Sequence, residues 1–285
     1  MAVSDDTYSR ASEGRRLLAG EALRLYEEAP LSTLMLLADG VRRKLHTENT
    51  VGWMIDRNVN ITNICFSQCR FCNFCRTEKS EDAYVTTDSE YDEKIRELIE
   101  WGGDQLLLQG GMNPSLGLAF YVTLFSGLKK RWPEIKIHAL GPPEVAYLAR
   151  KEKMSYRDVL VTLHTAGLDS LPGAGAEILS DRVRREVSPA KATAEEWLEV
   201  MREAHRLNLP TSATMMFGHA ETGEERIAHL IRLRELQDEK PDGHDGFITF
   251  IPWPFMDRGT VLAEKYGIRS NVTSSDYLRI IAISR

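Results

Sequence analysis

Five short apolar runs, each set between stretches that carry the signals of a capped helix, constrain the fold more than any other feature of this chain. They are "DQLLLQ" (104–109), "IKIHAL" (135–140), "LDSLP" (168–172), "TSATMMF" (211–217) and "GFITFI" (246–251). Helix starts between them are marked by a hydroxyl residue followed three positions later by an acid: Thr87 with Glu90, Ser155 with Asp158, Thr193 with Glu196, and Thr222 with Glu225. In such a box the hydroxyl accepts from the backbone three residues on, and the carboxylate reaches back to the cap. Short apolar strands alternating with helices imply parallel βαβ units. The alternating, β-branched "WMIDRNVNIT" (53–62) adds an extended segment before them. The expected architecture is α/β, a partial or truncated (β/α) barrel of about six βα units.

"RDVLVTLH" (157–164) is rich in strand formers, but the box at Ser155 and Gly167 behind it favour a helix. "WLEVMREAH" and "IAHLIRLREL" carry apolar stripes at helical spacing and are expected to face the core. Residues 4–47 read as two helices broken at "EEAPLS", with Leu34, Leu37, Ala38, Val41 and Leu45 on one face. No linker or repeat interrupts the chain, so one barrel domain (49–285) with a helical N-terminal extension (1–48) is expected. The sequence stops at "SSDYLRIIAISR", inside an apolar helical pattern, and a barrel shortened at its C-terminus is the expectation.

A formal charge of −6 argues against a phosphate-neutralising surface, and hence against a nucleic-acid partner. No apolar run approaches the roughly 20 residues of a membrane span. The polar start "MAVSDDTYSRASEG" lacks the pattern of a signal peptide, so a cytoplasmic location is expected. Thiols stay reduced there, and a tight group of them reads as metal-binding or redox-active.

All four cysteines fall in "NICFSQCRFCNFCR": Cys65, Cys69, Cys72 and Cys75. Three thiolates on one short loop can each take one iron of a cubane cluster and leave the fourth iron open to another ligand. A structural zinc site usually pairs two C-x2-C knuckles across a longer loop, and four ligands within eleven residues would crowd one tetrahedron. A ferredoxin-type carrier would use the C-x2-C-x2-C half, but its later cysteine beside a proline is missing. Chance clustering of core cysteines fits poorly with the intervening Ser, Gln, Arg and Asn.

C-x3-C-x2-C after a strand, with Phe71 just before the last cysteine, closely resembles the signature of the radical S-adenosylmethionine enzymes. That resemblance implies a 4Fe–4S cluster on Cys65, Cys69 and Cys72, with S-adenosyl-L-methionine on the open iron. Cys75 lies outside the pattern and is expected not to ligate. Beyond the cysteines, "LLLQGGMNPSL", "AGLDSLPGAGAEILSDRVR", "ATMMFGHAETGEERIAHLIRLRELQDE" and "FITFIPWPF" resemble the enzymes of the futalosine route to menaquinone, from about residue 50 onward. Within them the chain looks more like those that cyclise dehypoxanthine futalosine than those that make aminofutalosine. An inactive iron–sulfur electron carrier is the alternative from another class. Ala174 departs from the family's third glycine, Cys75 from an aromatic or small residue, and "MDRGT" from a Pro/Asn-containing turn.

The resemblance also assigns roles. Gln109, Gly110 and Gly111 would meet the methionyl amine, although a plain tight turn would read the same. Glu177 could take the ribose hydroxyls, or be a surface acid favoured at a helix start. Arg182 and Arg184 could clamp a carboxylate, or belong to a solvated charged face. His219 and Glu221 could accept the proton released on rearomatisation, or be structural. Asp169 could bind a sugar hydroxyl, and Trp253 could wall a benzoate ring or simply pack in the core. Dehypoxanthine futalosine is the implied substrate, and reduced flavodoxin or ferredoxin the implied electron donor.

Overall fold

The computed structural model of the protein describes residues 3–285. Three helices come first: α1 (Asp5–Glu13), α2 (Ala19–Glu28) and α3 (Leu31–Leu45). Two were expected. The additional break falls at Gly14, which takes a left-handed φ of 74° and turns its N–H back to Ala11. The anticipated break is present, between α2 and α3 at Pro30.

The barrel segment then runs β1 (Asp56–Asn60), α4 (Asp88–Glu100), β2 (Gln105–Gln109), α5 (Leu118–Arg131), β3 (Lys136–Ala139), α6 (Pro142–Glu152), α7 (Tyr156–Thr165), α8 (Asp181–Val187) and α9 (Ala194–Arg206). It continues with β4 (Thr211–Phe217), α10 (Gly223–Glu239), β5 (Phe247–Pro254), α11 (Val261–Tyr266) and α12 (Ser274–Ser284). Reciprocal caps start α4, α9 and α10 at Thr87, Thr193 and Thr222. At α7 the Ser155 side chain accepts from Asp158, which makes "RDVLVTLH" helical and buries Val159, Leu160 and Leu163.

Every strand pairing is parallel. β1, β2 and β3 form one ladder, with Asn60 opposite Gln109 and Leu108 opposite Ala139. β4 and β5 form another, with Met216 opposite Trp253. "LDSLP" was expected to supply a full strand between them. It supplies two bridges instead, Ser170 to His138 and Leu171 to Thr211. Pro172 follows at once and has no N–H to extend a ladder. Six strand positions therefore lie side by side, and the fold is a partial parallel (β/α) barrel.

Strand alternation sends Leu106, Leu108, Ile137 and Ala139 into the main core, together with Ile95, Phe125, Leu163 and Trp197 from the helices. A second core gathers Met215, Phe217, Ile227, Phe255 and Ile280 around β4 and the last helices. Helix α12 packs on α2 and α3, and Arg279 donates to the carbonyls of Tyr26 (2.8 Å) and Ala29 (2.7 Å). A cation there satisfies carbonyls that the end of α2 leaves unpaired.

Candidate active site at the cysteine loop

Strands that run parallel bring their C-terminal ends to one face, where barrel sites form. The cysteine loop leaves β1 on that face and is pinned at both ends: Cys65 N–H donates to Arg76 O (3.0 Å) and Arg76 N–H to Asn63 O (2.8 Å). Asn63 holds the return of the loop, giving its amide to Asp82 O (2.7 Å) and accepting from Tyr84 N–H (2.9 Å). In between, Arg70 N–H reaches Val187 O at the end of α8 (2.9 Å), and Gln68 takes a left-handed φ of 46°. Positive φ costs a non-glycine residue energy, and such strain collects where a site dictates the backbone. Leu140 (60°), just after β3, and Glu177 (43°), in the loop before α8, share it.

Cys65, Cys69, Cys72 and Cys75 line one cavity of about 170 Å³, with Phe71, Gln109, Gly110, Gly111, Glu144 and Lys191 among its other walls. The expected ligand triplet, Phe71 and the "QGG" turn thus meet at one place. Gly111 is the closest join: a β-carbon there would sit 2.1 Å from Ile64 O and 2.8 Å from Cys65 Cβ. Only glycine lets the β2 turn lie against the loop. Met112 N–H, next along, donates to Cys65 Sγ (3.3 Å), and the Ser67 hydroxyl lies 3.1 Å from Cys69 Sγ.

These features fit a thiolate-bound iron–sulfur cluster. Donors directed at sulfur stabilise thiolates and tune such clusters. Among the described residues no three Cys, His, Asp or Glu side chains gather tightly enough for a single ion. Thiols spread around one cavity suit a group whose irons are separate. Cys75 is differently placed: its thiol donates to Cys65 O (3.2 Å), and burial, with neighbouring thiols, pushes it up to about 11.

Behind Cys69 lies a buried charge group that the sequence did not reveal. Lys191, between α8 and α9, gives its ammonium to Glu177 Oε1 (2.7 Å) and lies 5.2 Å from the Phe71 ring centroid. Burial alone would raise the Glu177 carboxyl, but Lys191 and Arg184 hold it below its ordinary value. Burial raises Glu144, against the opposing pull of Lys191. Burial likewise pushes the Cys69 thiol up, and Lys191 works against it. Nothing around "SPAK" marks Lys191 beforehand; Glu144 follows the strand "IKIHAL" at the face where sites form, and that position was its one signal.

Several expected residues do other work. Glu177 stands behind Lys191 and is not part of the cavity wall, so a direct hold on ribose hydroxyls does not match its place. Arg184 is buried and donates to the carbonyls of Ala176 (2.7 Å), Gly175 (3.1 Å) and Ala192 (2.8 Å), bracing a loop rather than clamping a ligand. Arg182 is half-exposed and paired with Glu225 (2.9 Å) and the carbonyl of Ala220 (2.8 Å). Asp169 sits beside the opening half of β3, accepting from Ile137 N–H (2.6 Å) and pairing with Lys129 (2.7 Å). That is the end of the strand away from the cysteines.

His219 and Glu221 are sealed in a turn after β4. Glu221 accepts from Gly218 N–H (2.6 Å), His219 N–H (3.0 Å) and Arg226 Nε (2.7 Å), which leaves it no reach to a substrate. His219 Nε2 donates to Met216 O (3.0 Å), and its side chain is fully buried. Trp253 packs against the second core and does not line the cysteine cavity. A larger cavity of about 310 Å³ lies among α1–α3, α10 and α12 and includes none of the cysteines.

Residues 59–233 match the family model of the Radical SAM superfamily. The chain belongs to this superfamily. Radical SAM enzymes use a 4Fe–4S cluster and S-adenosylmethionine, the cofactors expected at the cysteine cavity. Residues 244–285 match a CofH/MqnC C-terminal region. A cyclic dehypoxanthine futalosine synthase of Streptomyces coelicolor is 40% identical over 281 residues, covering 97% of this chain and 68% of that protein. An aminodeoxyfutalosine synthase of Thermus thermophilus is 40% identical over 276 residues, covering 97% of this chain and 73% of that protein. Methylornithine synthase, at 17% identity, superposes with a TM-score of 0.70 over 98% of this chain and 76% of its own, which places this radical SAM chain in the same fold. No described helix is long and apolar enough to cross a membrane.

Proposed function

We propose that this radical SAM enzyme converts dehypoxanthine futalosine to its cyclic form in menaquinone biosynthesis. The observation that carries the radical chemistry is the meeting of Cys65, Cys69 and Cys72 with the Gln109–Gly111 turn at one cavity. The substrate rests on the likeness to the Streptomyces coelicolor enzyme. Cys65, Cys69 and Cys72 would hold three irons, and the "QGG" turn would receive the methionyl end of the cofactor. When bound, the cluster and S-adenosylmethionine supply a 5′-deoxyadenosyl radical that takes a hydrogen atom from the substrate ribose.

The chain's own part is to bind, orient and shield. Met112 N–H and the Ser67 hydroxyl steady two of the sulfurs. Phe71 covers the cavity beside the ligand cysteines, and the close fit at Gly111 fixes the loop against β2. Product formation would join a ribose carbon to the benzoate ring, and rearomatisation would release a proton to solvent and return one electron to the oxidised protein donor. The enzyme would act in the cytoplasm, drawing electrons from reduced flavodoxin or ferredoxin, with residues 1–48 as a helical extension to the barrel of 49–285.

The equal identity of the Thermus thermophilus relative supports a second reading, aminodeoxyfutalosine synthesis. Reconstituted protein is to be incubated anaerobically with S-adenosylmethionine, dithionite and each substrate in turn. A spirocyclic product retaining all carbons of dehypoxanthine futalosine is expected. Product only from an enolpyruvyl benzoate would replace the first reading with the second. No deoxyadenosine under any condition would leave an iron–sulfur carrier.

A further inference from the structure

The charge group behind Cys69 has no part in the roles assigned so far. Lys191 is carried by the short segment between α8 and α9, yet its side chain is only 16% exposed and forms part of the cysteine cavity wall. Two contacts fix it. Glu177 Oε1, on a residue whose side chain is 4% exposed, takes one ammonium hydrogen at 2.7 Å. The face of Phe71, within the cysteine loop itself, lies 5.2 Å away. A buried ammonium is costly unless paired, so the ion pair with Glu177 is what keeps the charge in place. A charge fixed in a poorly solvated wall acts on its neighbours far more strongly than one in water.

We infer that Lys191 is a positioning residue for electron entry: its buried ammonium, held by Glu177 and Phe71 against the cysteine loop, raises the reduction potential of the cluster. Reduction adds one negative charge to the cluster, and potentials of such groups follow the net charge and solvent exposure around them. A fixed positive charge favours the reduced state. Glu177 is anchored behind the ammonium and outside the cavity wall, so it opposes the lysine more weakly. Glu144, on the same wall, adds a further acid whose charge burial disfavours. Lys191 is the cation in that wall of the cavity, set against the cysteine loop.

The inference rests on the radical SAM reading, and its test separates the two. Reconstituted wild type, Lys191→Met, Lys191→Arg and Glu177→Gln are titrated with dithionite without S-adenosylmethionine, and the reduced cluster is followed by EPR. Lys191→Met is expected to shift the midpoint to more negative values and Glu177→Gln to more positive ones, with Lys191→Arg near wild type. A purely structural role gives no such opposite signs. Because Lys191→Met leaves Glu177 buried and unpaired, the double variant Lys191→Met/Glu177→Gln is measured alongside. It is expected between Lys191→Met and wild type, and by itself decides the sign if the single variant does not load. Midpoints that coincide, or move in one direction for both single substitutions, overturn the inference while the radical chemistry stands. Wild-type protein that takes up no cluster overturns both.

Discussion

The backbone N–H of Met112 points at the sulfur of Cys65 across 3.3 Å, joining the turn after β2 to the first cysteine of the loop after β1. Two strands that are neighbours in the sheet thereby share a site residue by residue. The contact exists because Gly111 has no side chain to hold the two segments apart.

Gly111→Ala therefore acts directly on the site. Its methyl would press on backbone, Ile64 O at 2.1 Å, which cannot rotate away as a flexible side chain can. The fold is expected to persist by circular dichroism, while iron and sulfide bound after reconstitution fall to a small fraction of wild type. Full loading of the variant would show that the loop and the turn need not touch.

The four cysteines should not behave alike. Replacing Cys65, Cys69 or Cys72 by Ala is expected to abolish the cluster absorbance and deoxyadenosine formation. Cys75→Ala removes a thiol that donates to a carbonyl 3.2 Å away and should retain the cluster. Its cost is one modest hydrogen bond, about 1 kcal/mol. Loss of cluster in Cys75→Ala with retention in Cys65→Ala would shift the ligand register.

Arg184 tests the loop rather than the chemistry. Arg184→Met removes the donors to Gly175, Ala176 and Ala192, leaving buried carbonyls and the Glu177 charge with one neighbour fewer. A loss of about 3 kcal/mol and a several-degree fall in Tm are expected. An unchanged melting curve would mean that water replaces the guanidinium there.

Acid should weaken the fold before it titrates most carboxylates. Burial holds His229 down to about 3, and His138 and His205 down to about 4. Below roughly pH 6.5 the unfolded chain takes up protons that these native histidines refuse, so stability falls as pH drops toward those values. Each contributes a slope of up to about 1.4 kcal/mol per pH unit. Glu225, held down to about 2 by Arg182, adds a loss in the same direction at lower pH still. His229 Nδ1 accepts from Leu179 N–H (3.0 Å), so protonation there also breaks a hydrogen bond. Thermal melts between about pH 7 and about pH 5 should show the decline, and His229→Gln should flatten it. An equal slope in the variant would assign the effect elsewhere.

What could be read in the sequence was whatever local chemistry determines. The capping residues placed α4, α7, α9 and α10, and the cysteine spacing placed a loop that the structure folds around one cavity. What escaped depended on partners distant in sequence. Arg184 looked like a ligand clamp because nothing nearby announces the three carbonyls it serves. Glu221 looked like a base because its neighbours Gly218, His219 and Arg226 claim it only once the turn has closed. Lys191 carried no mark at all, being one lysine between two helices until the fold sets it beside Phe71 and Glu177. Asp169 was misplaced by a single strand length: it bonds to Ile137 in the opening half of β3, at the opposite end from the cysteines.

Ser170 and Leu171 carry the sheet across the site. The sheet is stitched at Ser170 and Leu171 by single bridges, whereas β1 and β2 share five paired positions and β4 and β5 share seven. Cys65, Gln109 and Glu144 stand on one bank of that seam, and Gly175 and Lys191 on the other. Bonds from Asp169 to Ile137 and from Gly173 to Ser212 and Thr214 reinforce that seam, so one short segment ties both walls of the cleft together and a substitution in it would reach both at once.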